Sequence, residues 1–510
     1  MSAVPRSQGT TDSERYLAKL ADRSFLNLWS YPNVYNDKKS HNTGDGKELC
    51  DLLVICGEHV LIFSDKTIAW PNGSDVELSW RRWFGRAIIT SVKQIRHAQR
   101  WIREFPDRIF LDPGCTHLLP LPFPSLEHRK VHSIAVALGA GTACRKYFNG
   151  GIGSLVINPR IKGDDHIKAT GMLPFQIGDV DPNKGFIHVF DDATLDIVMA
   201  HMDTITDFTD YLTKREILIR SSNLIRAPGE EEMVAYYATH LNPSQEHDFT
   251  RPDGSPLREG DEFSLAAGQY SRLLKNPQYL AKFEADKDSY VWDRLIEAFT
   301  DNILAGTTIV PGGGEFILAH HEEGVRHMAL VPRHLRRILG KAILEVLDLG
   351  RSADRMTRAV LPGETEANRQ TGFFFMTLKV PSQALAEGYD QYRRTRLKML
   401  EIYAMTFLHK HQNLKRIVGI ATEPPGAGAG SSEDMILAEP PPIWSPEIVA
   451  ELETDQKLFV IAREGIFREY SIRGNEFPDV PLRRQMPPKR KHLSRRQRKL
   501  QKTKYQNSKH

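Results

Sequence analysis

Short apolar runs of strand length and amphipathic helical patterns are interleaved in the first half of the chain, and the second half is more helical. Leu17, Leu20, Ala21, Phe25 and Leu28 recur at helical spacing, and Thr11 with Glu14 three residues on makes a capping-box start. A helix is therefore expected over 11–29, ended by Tyr31-Pro32, with a polar loop over 33–47. Two apolar runs follow at 49–56 and 60–63, separated by Gly57-Glu58, and predict a β-hairpin whose second strand runs out through Ser64-Asp65-Lys66. Trp80, Phe84, Ile88, Ile95 and Ile102 mark the stripe of a long amphipathic helix over 80–105. Buried strands are expected at 133–138, 155–158 and 186–190, and Asp192 is placed to cap a helix reaching about residue 212.

Periodicity gives way to turn residues at Arg226-Ala227-Pro228-Gly229, which sets a first boundary. Beyond it, helices are expected at 230–240, 265–284, 290–304, 334–349 and 389–411, with strands at 373–380 and 417–421. The pattern predicts an α/β domain over 1–226, a more helical α+β region over 227–480, and a tail over 481–510. The tail has too few apolar side chains to bury a core and is expected to be disordered.

At 510 residues, with 40% hydrophobic and 26% charged positions, the chain has material for roughly two to four packed domains. The polar N-terminus carries no signal-like apolar segment, and no apolar run approaches the ~18 residues of a membrane span. A soluble, cytoplasmic protein with no membrane partner is the expectation. Cys50, Cys56, Cys115 and Cys144 form no C-x-x-C pair, which fits a reducing compartment and small buried side chains. Charge is uneven. From Arg483 onward there are 12 Lys/Arg and no Asp or Glu, which leaves 56 of the 68 Lys/Arg against all 64 Asp/Glu in the body. Such a tail suits a polyanionic partner.

The candidate chemistry lies in GDGKELCDLLVICGEHVLIFSDK, residues 44–66. Asp51 sits early in one strand, and Lys66 ends the next. Side chains alternate along a strand, so Ile62, Ser64 and Lys66 share a face, and Ser64 and Lys66 are expected to point toward Asp51. A capped helix, an Asp-bearing strand, a turn, a strand ending in x-Lys and a following amphipathic helix together resemble the core of the PD-(D/E)XK (restriction-endonuclease-like) nucleases. The resemblance covers about residues 11–138, roughly a quarter of the chain.

That resemblance implies a mixed sheet flanked by helices and Mg2+ (or Mn2+)-dependent hydrolysis of DNA or RNA. It implies Asp51 as metal ligand, Lys66 as the group that stabilises charge or positions water, and a glutamine position at Lys93-Gln94. The sequence departs from the family where an acidic residue is expected, at Ser64, whose neutral hydroxyl is a weak ligand for a hard cation. Glu48 and Glu14 are the candidates for the missing charge, ahead of Asp65, which a regular strand turns to the opposite face. Lys93, Gln94, Arg495, Arg496, Arg498 and Lys499 are the expected nucleic-acid contacts. Two alternatives stand beside hydrolysis: a nuclease-like protein that only binds nucleic acid, and an adaptor docking its tail on ribosomal or other RNA.

Other signals read as structural. Gly139-Ala140-Gly141 lacks the third glycine of a dinucleotide fingerprint, and Pro311-Gly312-Gly313-Gly314 lacks a P-loop ending. His320-His321-Glu322-Glu323 lacks the helical spacing of a zinc site, because the next histidine is His327. Asp203, Asp207 and Asp210 read as a solvated acidic face. Arg393, Arg394, Arg396 and Lys398 read as the polar side of a surface helix.

Overall fold

The computed structural model describes residues 4–38, 45–168, 170–221, 223–308, 318–362, 370–380, 388–426, 432–459 and 476–478. The first helix, α1 (Asp12–Phe25), begins as expected: Thr11 Oγ1 accepts from Glu14 N at 3.2 Å, and the Glu14 carboxylate accepts from Thr11 N at 3.3 Å. It stops short of residue 29 because Leu26 turns to φ 65. The predicted polar loop then fails at its start: β1 (Ser30–Asn36) is a strand that pairs antiparallel with β2 (Lys47–Cys56). Pro32 suggested a break, yet a residue without an N–H is tolerated where one side of the strand lacks a partner. The neighbour on that side, β4 (Ile109–Phe110), reaches only Tyr35 and Asn36.

β3 (His59–Thr67) completes the hairpin around Gly57, which sits at φ +60. The long helix is α2 (Val76–Phe84), one π turn over Gly85–Ile89, and α3 (Thr90–Glu104). Its expected stripe of Trp80, Phe84, Ile88, Ile95 and Ile102 is buried throughout. With β4, β5 (Lys130–Leu138) and the later β8 (Ile187–Phe190), these strands form a mixed six-stranded sheet of order β4-β1-β2-β3-β5-β8. β1 to β3 are antiparallel, and β3, β5 and β8 run parallel.

After β5 come α4 (Gly141–Tyr147), β6 (Val156–Lys162), β7 (Gln176–Asp179) and β8 (Ile187–Phe190). Gly139 joins β5 to α4 at φ +106, where a Cβ would lie 2.1 Å from Ile68 O. Only glycine fits so close a backbone approach. Asp192 does not cap the next helix. Its carboxylate crosses the turn and accepts from Gly139 N, Ala140 N and Gly141 N at 2.8, 3.1 and 2.8 Å. Asp191 accepts from Ala193 N and Thr194 N at the start of α5 (Thr194–His201). The helix expected to reach residue 212 is two helices, because the Thr204 hydroxyl starts α6 (Ile205–Arg220) afresh by accepting from Asp207 N at 3.1 Å.

β9 (Leu224–Arg226), α7 (Glu230–Tyr237) and β10 (Phe263–Ser264) follow. The helix expected over 265–284 is divided into α8 (Gln269–Leu273) and α9 (Pro277–Asp286), because Asn276 caps the second with Pro277 in its first turn. α10 (Tyr290–Ala305), α11 (Leu318–Ala329) and α12 (Arg333–Gly350) pack against a second mixed sheet. That sheet is β11 (Arg355–Val360), β12 (Thr371–Leu378), β13 (Arg416–Thr422) and β14 (Asp434–Ala438), with β12 and β13 parallel. The helix Tyr389–Lys410 covers its other side through Leu400, Ala404 and Phe407.

Contacts cross residue 226. Ile157 and Ala227 exchange backbone hydrogen bonds at 2.9 and 3.0 Å, and β9 pairs with β10. One apolar core continues from Leu17 to Ile420. Cys50, Cys56 and Cys144 are buried free thiols. Among the described residues no helix is long and apolar enough to cross a membrane.

Candidate active site

The hairpin opens into a fork. The β2–β3 ladder runs from Cys56 paired with His59 to Leu52 paired with Phe63, and it ends there. Past that point β2 stays with β1 down to Lys47, while β3 stays with β5 out to Thr67. Asp51 occupies the crotch. Its Oδ2 accepts from the backbone N of Asp65 at 2.5 Å, so a side chain replaces the missing ladder bond.

Leu53 faces Ile62 across the ladder, so alternation puts Asp51, Ser64 and Lys66 on one face, as the sequence predicts. Lys66 Nζ lies 3.2 Å from Asp51 Oδ2. Gln94 arrives from α3, with its Nε2 3.3 Å from Asp51 Oδ1, and its Oε1 accepts from Ser64 Oγ at 2.8 Å. Asp51 is 2% exposed, while Lys66 is only part-buried and reaches the solvent edge. Lys93, one position from Gln94, is exposed on the neighbouring side of α3.

Asp65 points the other way, as expected of a regular strand, because β3 pairs with β5 residue by residue without a bulge. It lies under α1 with both carboxylate oxygens buried and without a hydrogen-bond partner among the described residues. Burial pushes its carboxyl up to about 6. The Ser13 hydroxyl opposes that rise without completing a hydrogen bond, and the charge of Asp51 adds to it. A carboxyl whose folded value is raised contributes fully below its unfolded value of 3.8, and that contribution is lost as pH rises through 6. Asp65→Asn is therefore expected to stabilise the fold by about 2–3 kcal/mol above pH 6, with no gain near pH 4. Urea unfolding at pH 4 and pH 8 measures this, and equal effects at both would refute it.

Two further carboxylates approach the fork through a residue that the sequence reading placed in a loop. Asn33 on β1 is fully buried at φ 48, and its Nδ2 donates to Glu14 Oε2 at 3.0 Å and to Glu48 Oε1 at 2.7 Å. Burial opposes the charge on Glu14, but donors from Thr10, Asn33 and Thr11 hold its carboxyl down to about 2. Its Oε2 is engaged in capping α1, which favours Glu48 as a second ligand. Glu48 is raised by burial. Asn33 opposes this, the charges of Asp51 and Glu14 push it further, and Lys66 pulls it back. β1 is buried on both faces, so no period-two pattern in the sequence marks it.

The donor set suits a particular kind of cation. Among the described residues no three His, Cys, Asp or Glu side chains converge as a cage built wholly from protein would require. Mg2+ usually keeps several waters and takes only one or two carboxylates. Asp51 and Glu48 fit that pattern, whereas the Ser64 proton is committed to Gln94.

The backbone amides at Gly139-Ala140-Gly141 are filled by Asp192. Glu322 on α11 binds Trp29 Nε1 at 2.6 Å and Arg326 at 3.0 Å. The solvated acidic face is corrected: Asp203 holds Arg333 at 2.8 Å, Asp207 accepts from Arg333 N at 2.8 Å, and Asp210 lines a cavity. Arg393 and Arg396 are not open surface charges, because both bind Asp434, at 2.6 and 2.7 Å. Arg495, Arg496, Arg498 and Lys499, and the Pro311–Gly314 turn, lie outside the described residues. Comparison with protein-family models, with curated proteins and with solved structures returns no match to this chain.

Proposed function

We propose that the fork is a metal-dependent phosphodiesterase site acting on DNA or RNA, in the manner of the restriction-endonuclease-like enzymes that its sequence resembles. One observation carries the reading: a buried carboxylate and a lysine 3.2 Å apart, at the point where two strands diverge, with a glutamine from the next helix on the same face.

Mg2+ or Mn2+ held by Asp51 and Glu48 would supply Lewis acidity toward a phosphate oxygen and acidify a bound water. The chain's own groups do the rest. Lys66, part-exposed beside Asp51, places a positive charge where a phosphate's charge would build up. Gln94 fixes the Asp51 carboxylate and orients Ser64. One turn further along α3, the His97 imidazole is held low by burial and by the cations Lys47, Arg100 and Lys38, a local positive field suited to a nucleic-acid backbone.

A second reading has its own observation. Ser64 stands where a carboxylate would complete the ligand set and is turned to Gln94, as in a protein that binds nucleic acid without cutting it. Incubating the chain with plasmid, single-stranded DNA and RNA, in Mg2+, Mn2+ or EDTA, separates the two. Divalent-dependent cleavage of one substrate is expected. Retained binding without cleavage under every condition would establish the second reading instead.

The tail contributes independently of the fork. Removing residues 483–510 takes away 12 Lys/Arg and no acidic residue. Binding is expected to weaken and its dependence on salt to flatten, since each phosphate contact contributes about 0.9 to the log–log slope. Fluorescence anisotropy across a salt series measures the slope, and an unchanged slope would show that the tail makes no phosphate contacts.

A further inference from the structure

A cavity of about 380 Å3 lies among α6, α7, α9 and α12 and the adjoining ends of β11 and β12, and none of its lining residues belongs to the fork. Its size falls in the roughly 300–1,000 Å3 range of small-molecule sites. Part of the lining is apolar, supplied by Leu330, Leu335, Val360 and Phe373. Another part carries charge, and its pairing decides the sign of what fits.

The cations are already matched. Arg333 sits between Asp203 and Asp293 at 2.8 and 2.5 Å. Lys282 sits between Asp286 and Glu476 at 2.8 and 3.4 Å. Lys214 donates to the backbone oxygen of His247, with Glu246 at 3.8 Å and Asp248 at 4.0 Å. His201 and His327 are driven down to about 4 by burial and stay neutral at neutral pH.

Asp210 differs. It takes no hydrogen bond or ion pair among the described residues, yet its surface is open to the cavity. Surrounding protein pushes its carboxyl up to about 6, and the charges of Asp207 and Glu246 push in the same direction against Lys214. An incoming positive charge would relieve that repulsion, and an anion would meet cations that already have partners. A bare metal ion fits less well, because the neighbouring Asp207 carboxylate is taken up by Thr204 and by Arg333 N, and much of the lining is apolar.

We propose that this cavity binds a small organic cation, with a protonated amine on Asp210 and its carbon skeleton against Leu330, Leu335 and Phe373. The site is separate from the fork and does not depend on the function proposed for it. The test uses the full chain and matched probes: phenethylamine against 2-phenylethanol, butylamine against butanol, and Mg2+ or Ca2+ alone. Titration calorimetry at pH 7.5 reads affinity, and thermal unfolding reads stabilisation. At least one amine is expected to bind tenfold or more tightly than its alcohol, and Asp210→Asn is expected to remove that preference. The amine–alcohol comparison on the wild type needs no variant. Equal binding of amine and alcohol, or no binding of either pair, would overturn the proposal. So would a preference that survives Asp210→Asn, or metal binding that Asp210→Asn abolishes while the amines fail to bind.

Discussion

Asp51→Asn and Lys66→Ala are each expected to lower divalent-dependent cleavage by about 100-fold or more while leaving the fold intact. That is the usual cost of losing one electrostatic contact made in the transition state. Asp51→Asn keeps the shape that accepts from Asp65 N and loses the charge that would attract a metal. Lys66→Ala removes the cation 3.2 Å from Asp51. Nucleic-acid binding should survive both, because the tail lies elsewhere in the chain. Single-turnover cleavage, with anisotropy on the same samples, separates the two effects. Cleavage at the wild-type rate in both variants would place the chemistry elsewhere. Ser64→Glu sharpens the test. Activity should rise if Ser64 leaves the ligand set incomplete, and fall if Glu48 already completes it and a further charge crowds the site.

The second large effect concerns stability. Glu230→Ala is expected to cost about 3–5 kcal/mol, the range for removing one partner of a buried ion pair. Arg215 and Glu230 are each 2% exposed and joined by two hydrogen bonds, of 2.7 and 2.8 Å, with the Tyr211 hydroxyl donating to the same carboxylate at 2.5 Å. Removing Glu230 leaves a guanidinium buried beside His188, whose imidazole burial keeps neutral. The pair also spans residue 226, so its loss should loosen both sides together. Urea unfolding of the two single variants and the double Arg215→Ala/Glu230→Ala checks this. The double should cost clearly less than the sum of the singles, and simple additivity would show that the pair is not coupled.

What could be read from sequence divides along a physical line. The hairpin, the shared face of Asp51, Ser64 and Lys66, and the capping box depend on neighbours within a turn or a ladder, and local alternation encodes them. Gln94 was placed by the resemblance, and the fold brings it to Asp51 from 43 residues away. Asn33 was missed because Pro32 reads locally as a break, whereas its tolerance depends on how short β4 is. Asp203, Asp207 and Asp210 carry a spacing that says nothing of Arg333, about 130 residues on, or of a cavity assembled from distant elements. Asp192 failed as a helix cap for a similar reason, since the amides it accepts from lie more than 50 residues earlier.

That last contact reaches beyond one turn. The amides of Gly139, Ala140 and Gly141 have their acceptor in the Asp192 carboxylate, two residues past the end of β8, an edge strand of the sheet. Their protection from hydrogen exchange then reports on the docking of that strand and not on α4 itself. If β8 peels away, the three protons become free to exchange together, while the amides of the β2–β3 ladder stay closed. The turn serves as an internal gauge of whether the edge of the sheet is shut.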